Sequence, residues 1–409
     1  MAPAPESLLA RIRQARGVAC DWLAAHAERS NPRQWHGGGE LLFRRKCFNE
    51  LALFLMWHER FPQYELAGVR AIRAYICSQV GGDYLGMALR RPERLLMYNC
   101  ALGYAVHRGV FDTRQAARVR EVLAGPFAWS LDNTVFRQLD LVLACHFAGA
   151  TPPLAAADLF RVSALAAPPS PLYGTRDAFY AVTHAAFYAF LLQQPVLAPA
   201  RLAVSVKGGL CRALAAHDLD LGLELLMTQL LQGLPLEAEG LLLLEAVLAP
   251  LLAGADVGNR QHSMDVAAFL AEQPAEAGWA PRFHLMLVAA LALLLAEHAF
   301  ASAAPAQPAA HAGAAARALG QSLLALQRYH FTSGLRPLLG FQPGTPQEAA
   351  LLDEIVQFLQ LHAHGDGQYG HFVDELQRFG RDPAQAAALR APINQACRAF
   401  LQAQPATCS

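Results

Sequence analysis

Charge is scarce in this sequence. Only 16% of the 409 residues are charged, and 33 basic side chains are cancelled by 33 acidic ones. Binding to nucleic acid without sequence preference requires a basic face that neutralises phosphates. No dense Lys/Arg block supplies one. The nearest, Arg44-Arg45-Lys46, runs on to Glu50 and has the pattern of a polar stripe on an amphipathic helix. Paired cysteine motifs are also lacking. Cys20, Cys47, Cys77, Cys100, Cys145, Cys211, Cys397 and Cys408 are scattered with no Cys-x-x-Cys, which excludes a zinc ribbon or a thioredoxin-like centre. Such single cysteines behave as small core hydrophobes and suit a reducing compartment. The first residues carry no charged segment followed by an apolar one, so no signal peptide is read and a cytoplasmic location is expected. The greasiest runs, Leu241–Leu252 and Leu285–Leu295, fall short of the roughly 20 residues a membrane span needs. They read as buried core helices, and neither a membrane nor a nucleic acid is expected as a partner.

Strict apolar/polar alternation is hard to find, whereas apolar residues recur at three- and four-residue spacing almost throughout. With 54% hydrophobic residues the chain can bury a large core, which excludes disorder. The pattern predicts an all-α protein. Predicted helices include Leu8–Ala25, Glu40–Arg60, Ala67–Val80, Arg91–Arg108, Thr113–Ala124, Asn133–Ala148, Ala178–Leu192 and Ala200–Ala216. Later ones include Leu219–Gln232, Pro235–Leu252, Met264–Glu272, Pro281–Phe300, Ala314–His330, Pro346–His362, His371–Phe379 and Pro383–Gln404. Asp112-Thr113 can cap the helix it precedes. Short connections between many helices predict antiparallel helical hairpins, closed into an (α/α) toroid or left as an irregular α-solenoid. No fixed repeat carries tetratricopeptide or HEAT signatures, which favours the toroid. The Ala/Pro-rich stretch over 301–316 reads as a linker. It divides a main helical body, 1–300, from a C-terminal helical segment, 317–409.

The most informative polar cluster lies on one predicted helix: Arg176-Asp177-Ala-Phe-Tyr180-Ala-Val-Thr183-His184-Ala-Ala-Phe187-Tyr188. Residues four apart share a helix face, so Tyr180, His184 and Tyr188 form a stripe able to give and take protons. The same stripe also fits a set of buried polar tips hydrogen-bonded to neighbouring helices. This segment resembles the D-A-Y-A-x-T-H-x-x-F-Y pattern of an uncharacterised family of bacterial all-helical proteins, often encoded beside biosynthetic genes. Upstream, Phe136-Arg137-Gln138-Leu139-Asp140-Leu141 resembles that family's R-x-x-D/E helix. Downstream, Phe283-His284-Leu285-Met286-Leu287-Val288 is similar to its Y-H-T-T-L-V segment. The resemblance spans about residues 90 to 300, and it implies an all-helical fold with these polar positions as candidate site residues. It departs from the family where Ala189-Phe190-Leu191-Leu192 replaces a polar T-D-F-G run and where Leu285 and Met286 replace two threonines.

Two other clusters invite a chemical reading. His362, His364, Asp366 and His371 lie in a glycine-rich stretch with metal-ligand side chains, although such runs ordinarily follow a strand and none is predicted. Trp35-His36-Gly37-Gly38-Gly39 matches an esterase oxyanion loop, but no Gly-x-Ser-x-Gly elbow accompanies it. Walker and Rossmann glycine patterns and Asp-rich magnesium motifs are absent, so no nucleotide or flavin cofactor is implied. The lone histidines, His58 among them, fall near helix ends, where a cation suits the macrodipole.

These residues lead to two expectations. One is an accessory or tailoring protein of a bacterial secondary-metabolite or peptide-modification pathway. It would bind a small molecule or peptide in a helical cavity, with Tyr180, His184, Tyr188 and His284 for lyase- or cyclase-type proton transfer and Arg137, Asp140 and Asp177 for binding. The other is a helical scaffold that holds a partner protein or peptide without chemistry.

Overall fold

The computed structural model describes residues 7–31, 40–81, 83–90, 92–130, 133–194, 200–255, 257, 264–302, 312–338, 341 and 343–363. Among them there is no strand, and the chain is all-α. In order the helices are α1 (Leu8–His26), α2 (Glu40–His58), α3 (Ala67–Val80), α4 (Tyr84–Arg90), α5 (Asn99–His107), α6 (Thr113–Ala124), α7 (Pro126–Ser130), α8 (Val135–Ala148) and α9 (Ala156–Arg161). There follow α10 (Arg176–Leu191), α11 (Ala200–Ala216), α12 (Leu219–Leu231), α13 (Ala238–Leu252), α14 (Met264–Glu272), α15 (Ala280–Ser302), α16 (Ala312–Gln327), α17 (Phe331–Leu335) and α18 (Pro346–Ala363).

Local chemistry accounts for several boundaries. Asp112 forms a full capping box with Gln115: its carboxylate accepts the Gln115 amide at 2.7 Å, and the Gln115 side chain accepts the Asp112 amide at 3.1 Å. The continuous helix expected over Arg91–Arg108 is instead a 3-10 segment, Pro92–Met97, followed by α5, with Arg94 outside helical φ/ψ. Asn49 of α2 stabilises that break. Its side chain accepts the Ala101 amide at 3.1 Å and donates to Asn99 at 3.1 Å and to the Leu96 carbonyl at 3.2 Å, so backbone groups that a helix would have paired are satisfied from outside. A sequence period cannot register that substitution of partners. The short helices α4, α7 and α17 have no counterpart in the sequence expectation. The expected helices His371–Phe379 and Pro383–Gln404 lie outside the described residues, as does most of the Ala/Pro-rich stretch.

Packing is set by a few broad faces. α1 lies against α15, α3 and α13; α5 pairs with α8 and α2; α12 touches α10, α11, α13 and α15; α16 lies along α11. Close approach needs glycine at particular points. A Cβ on Gly320 would meet the Cys211 carbonyl oxygen at 2.0 Å, and one on Gly209 would meet Leu225 at 2.8 Å and Phe179 at 3.0 Å. One continuous apolar core runs through the helices from α1 to α15, and a smaller one gathers Leu172 and Cys211 with residues of α16 to α18.

The apolar run noted at Leu285–Leu295 belongs to a longer helical stretch. Residues Pro274–Ala301 are long and apolar enough to cross a membrane, yet 78% of their most apolar window is buried inside the protein. α15 is apolar all round because α1, α2, α12 and α14 cover it, as expected of a central core helix. Arg16 and Glu297 tie it to α1 through a buried pair at 2.8 Å, and Arg13 reaches the same carboxylate at 2.9 Å.

His58, expected to complement a helix C-terminus as a cation, is 2% exposed, and neither ring nitrogen has a hydrogen-bond partner. Burial, then Arg16 and Arg73, depress its pKa from 6.5 to about 3. It is therefore a neutral core ring packed on Phe54 at 4.6 Å.

Candidate functional site

The helices α2, α8, α10, α12 and α15 line a partly open cavity of about 410 Å³. Its walls combine apolar and aromatic side chains such as Trp57, Phe136, Phe187, Met227 and Leu291 with a concentrated polar end. All seven positions singled out from the sequence, Arg137, Asp140, Asp177, Tyr180, His184, Tyr188 and His284, line this one cavity. Six of them fall into two groups. Asp177 belongs to neither and is exposed in the first turn of α10.

The first group centres on Asp140 of α8, which is 3% exposed. Arg137, one turn earlier, approaches it at 3.5 Å, and the Cys100 thiol points at its Oδ1 at 3.5 Å. Tyr188 lies in the same field. Burial, and then Asp140, push its phenol well above the usual value, so it acts here as a neutral hydrogen-bonding group. Phe136 stands between the two groups, its ring 5.1 Å from the Arg137 guanidinium and 5.1 Å from the His184 ring.

The second group is denser. Asp220 and Glu224 sit four residues apart on α12 and share its inward face. Tyr180 donates its hydroxyl to Asp220 Oδ2 at 2.5 Å, and Arg176, held bidentately by Asp218 at 2.7 and 3.1 Å, also reaches that oxygen at 3.5 Å. The Thr183 hydroxyl is 2.5 Å from Glu224 Oε2 and 3.0 Å from the Tyr180 carbonyl. It has one proton to give, and the charge-assisted bond to the carboxylate is the stronger. His184 places Nδ1 2.8 Å from the Tyr180 carbonyl and 3.7 Å from Glu224 Oε2. His284, from α15, sets Nδ1 3.3 Å from Glu50 Oε2 of α2, and its Nε2 lies 3.4 Å from Asp220 Oδ1 and 3.8 Å from Glu224 Oε1.

The electrostatics follow from this crowding. Burial would push the His284 imidazolium down, but Glu50, Asp220 and Glu224 outweigh it and carry its pKa well above the usual histidine value. Burial raises the Asp220 carboxyl; His284 opposes that rise and Glu224 adds to it. Burial also works against ionising Glu224, yet His184, His284 and the Thr183 hydroxyl prevail and hold its carboxyl below the usual range. Glu50 is likewise lowered: against burial stand His284, Lys46 and Arg137.

Sequence reading misses Glu50, Asp220 and Glu224. The pattern puts Glu50 on a solvated stripe with Arg44-Arg45-Lys46, but Lys46 and Glu50 both face the cavity. A usable signal exists on α12: two carboxylates at i and i+4 in an otherwise leucine-rich helix must either be buried with partners or spoil an apolar face. Of the alternative cluster, His362 falls in the last turn of α18, while His364, Asp366 and His371, like the Trp35–Gly39 stretch, lie outside what the structure describes.

The geometry defines a class, an all-α protein with a partly open cavity whose carboxylate, imidazole, phenol and cationic groups come from five helices. Residues 17–294 match the family described as a domain of unknown function (DUF6895), and the chain belongs to that family. This agrees with the expectation of an uncharacterised family. No curated protein and no solved structure matches the chain.

Proposed function

We propose that this protein binds a small molecule, or the end of a peptide, in the cavity between α2, α8, α10, α12 and α15, as an accessory or tailoring protein of a bacterial biosynthetic or peptide-modification pathway. The observation that carries this reading is the convergence of side chains from five helices on one space of about 410 Å³. Cavities of this size, mostly apolar with a few converging polar groups, suit compact organic ligands. The apolar wall would hold the body of the ligand, and the polar end would orient its functional groups. Arg137, held on one side by Asp140, offers a guanidinium to an anionic group. His184 presents an imidazole for proton exchange, while Tyr180, one turn earlier, gives its hydroxyl to Asp220 and holds that carboxylate in place. A ring-like, toroidal closure of the helices belongs to the same proposal. It is supported by α1 packing on α13 and α15, more than 200 residues away in sequence.

The test exposes the purified full chain to a small-molecule extract of a bacterial culture and, separately, to a library of short peptides, with retained compounds read by native mass spectrometry. The wild type is expected to retain a discrete compound that Met97→Trp, which fills the cavity, does not. Retention of nothing, or equal retention by both proteins, would sink the reading. Capture of peptides insensitive to Met97→Trp would favour a scaffold surface instead. For the chemical role, unchanged conversion of a retained compound by His184→Ala would remove that imidazole from the reaction.

A further inference from the structure

Three side chains in the polar end of the cavity each bring one atom to a common point while their other polar atom is held elsewhere. Asp220 directs Oδ1 inward while Oδ2 accepts from Tyr180 and Arg176. Glu224 directs Oε1 inward while Oε2 accepts from Thr183. His284 directs Nε2 inward while Nδ1 faces Glu50. From this convergence we propose that Asp220 Oδ1, Glu224 Oε1 and His284 Nε2 are the protein ligands of a single first-row divalent cation such as Mn²⁺, Fe²⁺ or Zn²⁺. The inference rests on the cavity being the functional site, and it adds a cofactor class to that reading.

The spacing is right for such an ion. Bonds of about 2.1 Å place neighbouring ligand atoms about 3.0–3.4 Å apart in octahedral or tetrahedral arrangements. Nε2 lies 3.4 Å from Asp220 Oδ1 and 3.8 Å from Glu224 Oε1, and the three residues can each bring a ligand atom within 4.8 Å of the other two. Small side-chain adjustments close the remaining gap.

Independently of the spacing, Asp220 is 8% exposed and its Oδ1 atom is buried without a hydrogen-bond partner. A buried carboxylate oxygen in that state is costly; the His284 ring stands 3.4 Å from it without hydrogen-bond geometry, whereas a metal ion in place of the Nε2 proton would meet both atoms directly. Glu50, Asp220 and Glu224 crowd the His284 imidazole; His184 faces only the outer oxygen of Glu224, at 3.7 Å, Lys46 and Arg137 act on Glu50, and the Arg176 guanidinium is committed to Asp218. The partner on each non-ligating atom is the arrangement that orients metal ligands and tunes their basicity. The Glu50–His284 contact in particular is the carboxylate–histidine pairing that presents Nε2 to a metal. One imidazole with two carboxylates favours Mn²⁺, Fe²⁺ or Zn²⁺ over the soft Cu⁺ and over Ca²⁺, which takes oxygen ligands. Three protein ligands leave coordination positions open to the cavity, where an oxygen of the bound molecule could complete the shell.

The test uses the full chain stripped with a chelator, dialysed against Mn²⁺, Zn²⁺ or Co²⁺ alone, and analysed by elemental mass spectrometry. The expectation is about one ion per chain for the wild type, and loss of at least nine-tenths of it in Asp220→Asn, Glu224→Gln and His284→Gln, with helical circular dichroism retained. Tyr180→Phe, which alters only an outer partner, should weaken binding about 10–100-fold without abolishing it. The double variant His364→Ala/His371→Ala should keep the ion. Should the triad variants fail to fold, the visible absorption of the wild-type Co²⁺ complex decides: nitrogen–oxygen ligation gives d–d bands and a Co²⁺-shifted His284 imidazole resonance. Absence of a stoichiometric ion with all three metals overturns the inference, and so does an ion that survives His284→Gln but is lost in the double variant. A metal-loaded chain that retains no organic compound would overturn the ligand-binding proposal while leaving the metal site standing.

Discussion

Tyr180 and Asp220 join α10 to α12 through a hydrogen bond of 2.5 Å, in which a neutral phenol donates to one oxygen of a buried carboxylate while the other oxygen faces the cavity. Tyr180 is therefore more than a ring in a wall. Removing only its hydroxyl in Tyr180→Phe leaves the carboxylate short of a donor, and a bond to a charged group contributes about 1.5–3 kcal/mol. Urea unfolding should show a loss of that order. A loss under about 0.5 kcal/mol would mean that Arg176 alone satisfies Asp220.

The buried ring of His58 predicts a pH dependence. The unfolded chain protonates this imidazole below its ordinary value of 6.5, whereas the folded chain resists until about 3. Between those values the unfolded state binds more protons, so stability falls as pH falls, by up to about 1.4 kcal/mol per pH unit from this group. His58→Phe should flatten the dependence of urea midpoint on pH between 6.5 and 4 while changing little above pH 7. An unaltered slope would place His58 in contact with solvent.

Glu297 is the common partner of Arg13 and Arg16, and the Arg16 side chain is as deeply buried as the carboxylate. Glu297→Leu strands the Arg16 guanidinium with only the Tyr64 carbonyl, 2.7 Å away. Breaking a buried pair from one side costs about 3–5 kcal/mol, while removing both partners often costs little. Adding Arg16→Met to Glu297→Leu should therefore restore a large part of the lost stability in a denaturant series. Additive losses would show that the pair is solvated.

Glycines of α1 and α16 should respond in opposite directions. A Cβ on Gly17 would meet nothing within 4 Å, so Gly17→Ala should stabilise by about 0.5–1 kcal/mol through helix propensity alone. A Cβ on Gly320 would meet the backbone of α11 at 2.0 Å, so Gly320→Ala must push α11 and α16 apart and should cost about 1–3 kcal/mol. Thermal melts of the two variants side by side check both signs.

Much of the fold is legible in the residue pattern. Ala67–Val80, Thr113–Ala124, Ala200–Ala216 and Met264–Glu272 have the bounds that their apolar period predicts, and the capping box at Asp112 is written in four consecutive residues. The Arg91–Arg108 region misleads because its periodicity continues through a break that Asn49 stabilises from another helix. At the site, the Tyr180–His184–Tyr188 stripe is visible as a helix face, since spacing on one helix is a local property. Glu50 is not, because an isolated glutamate beside three basic residues looks the same whether it faces solvent or a cavity.

By itself the sequence determined that this protein is all-α, that its excess of apolar residues is spent on helix packing, and where most helices begin and end. These follow from residue spacing and capping, which act over a few positions. Only the tertiary structure decided that Glu50, Asp220, Glu224 and His284 meet. They are carried by three helices separated by up to 234 residues, and which faces those helices turn towards one another depends on packing across the whole core.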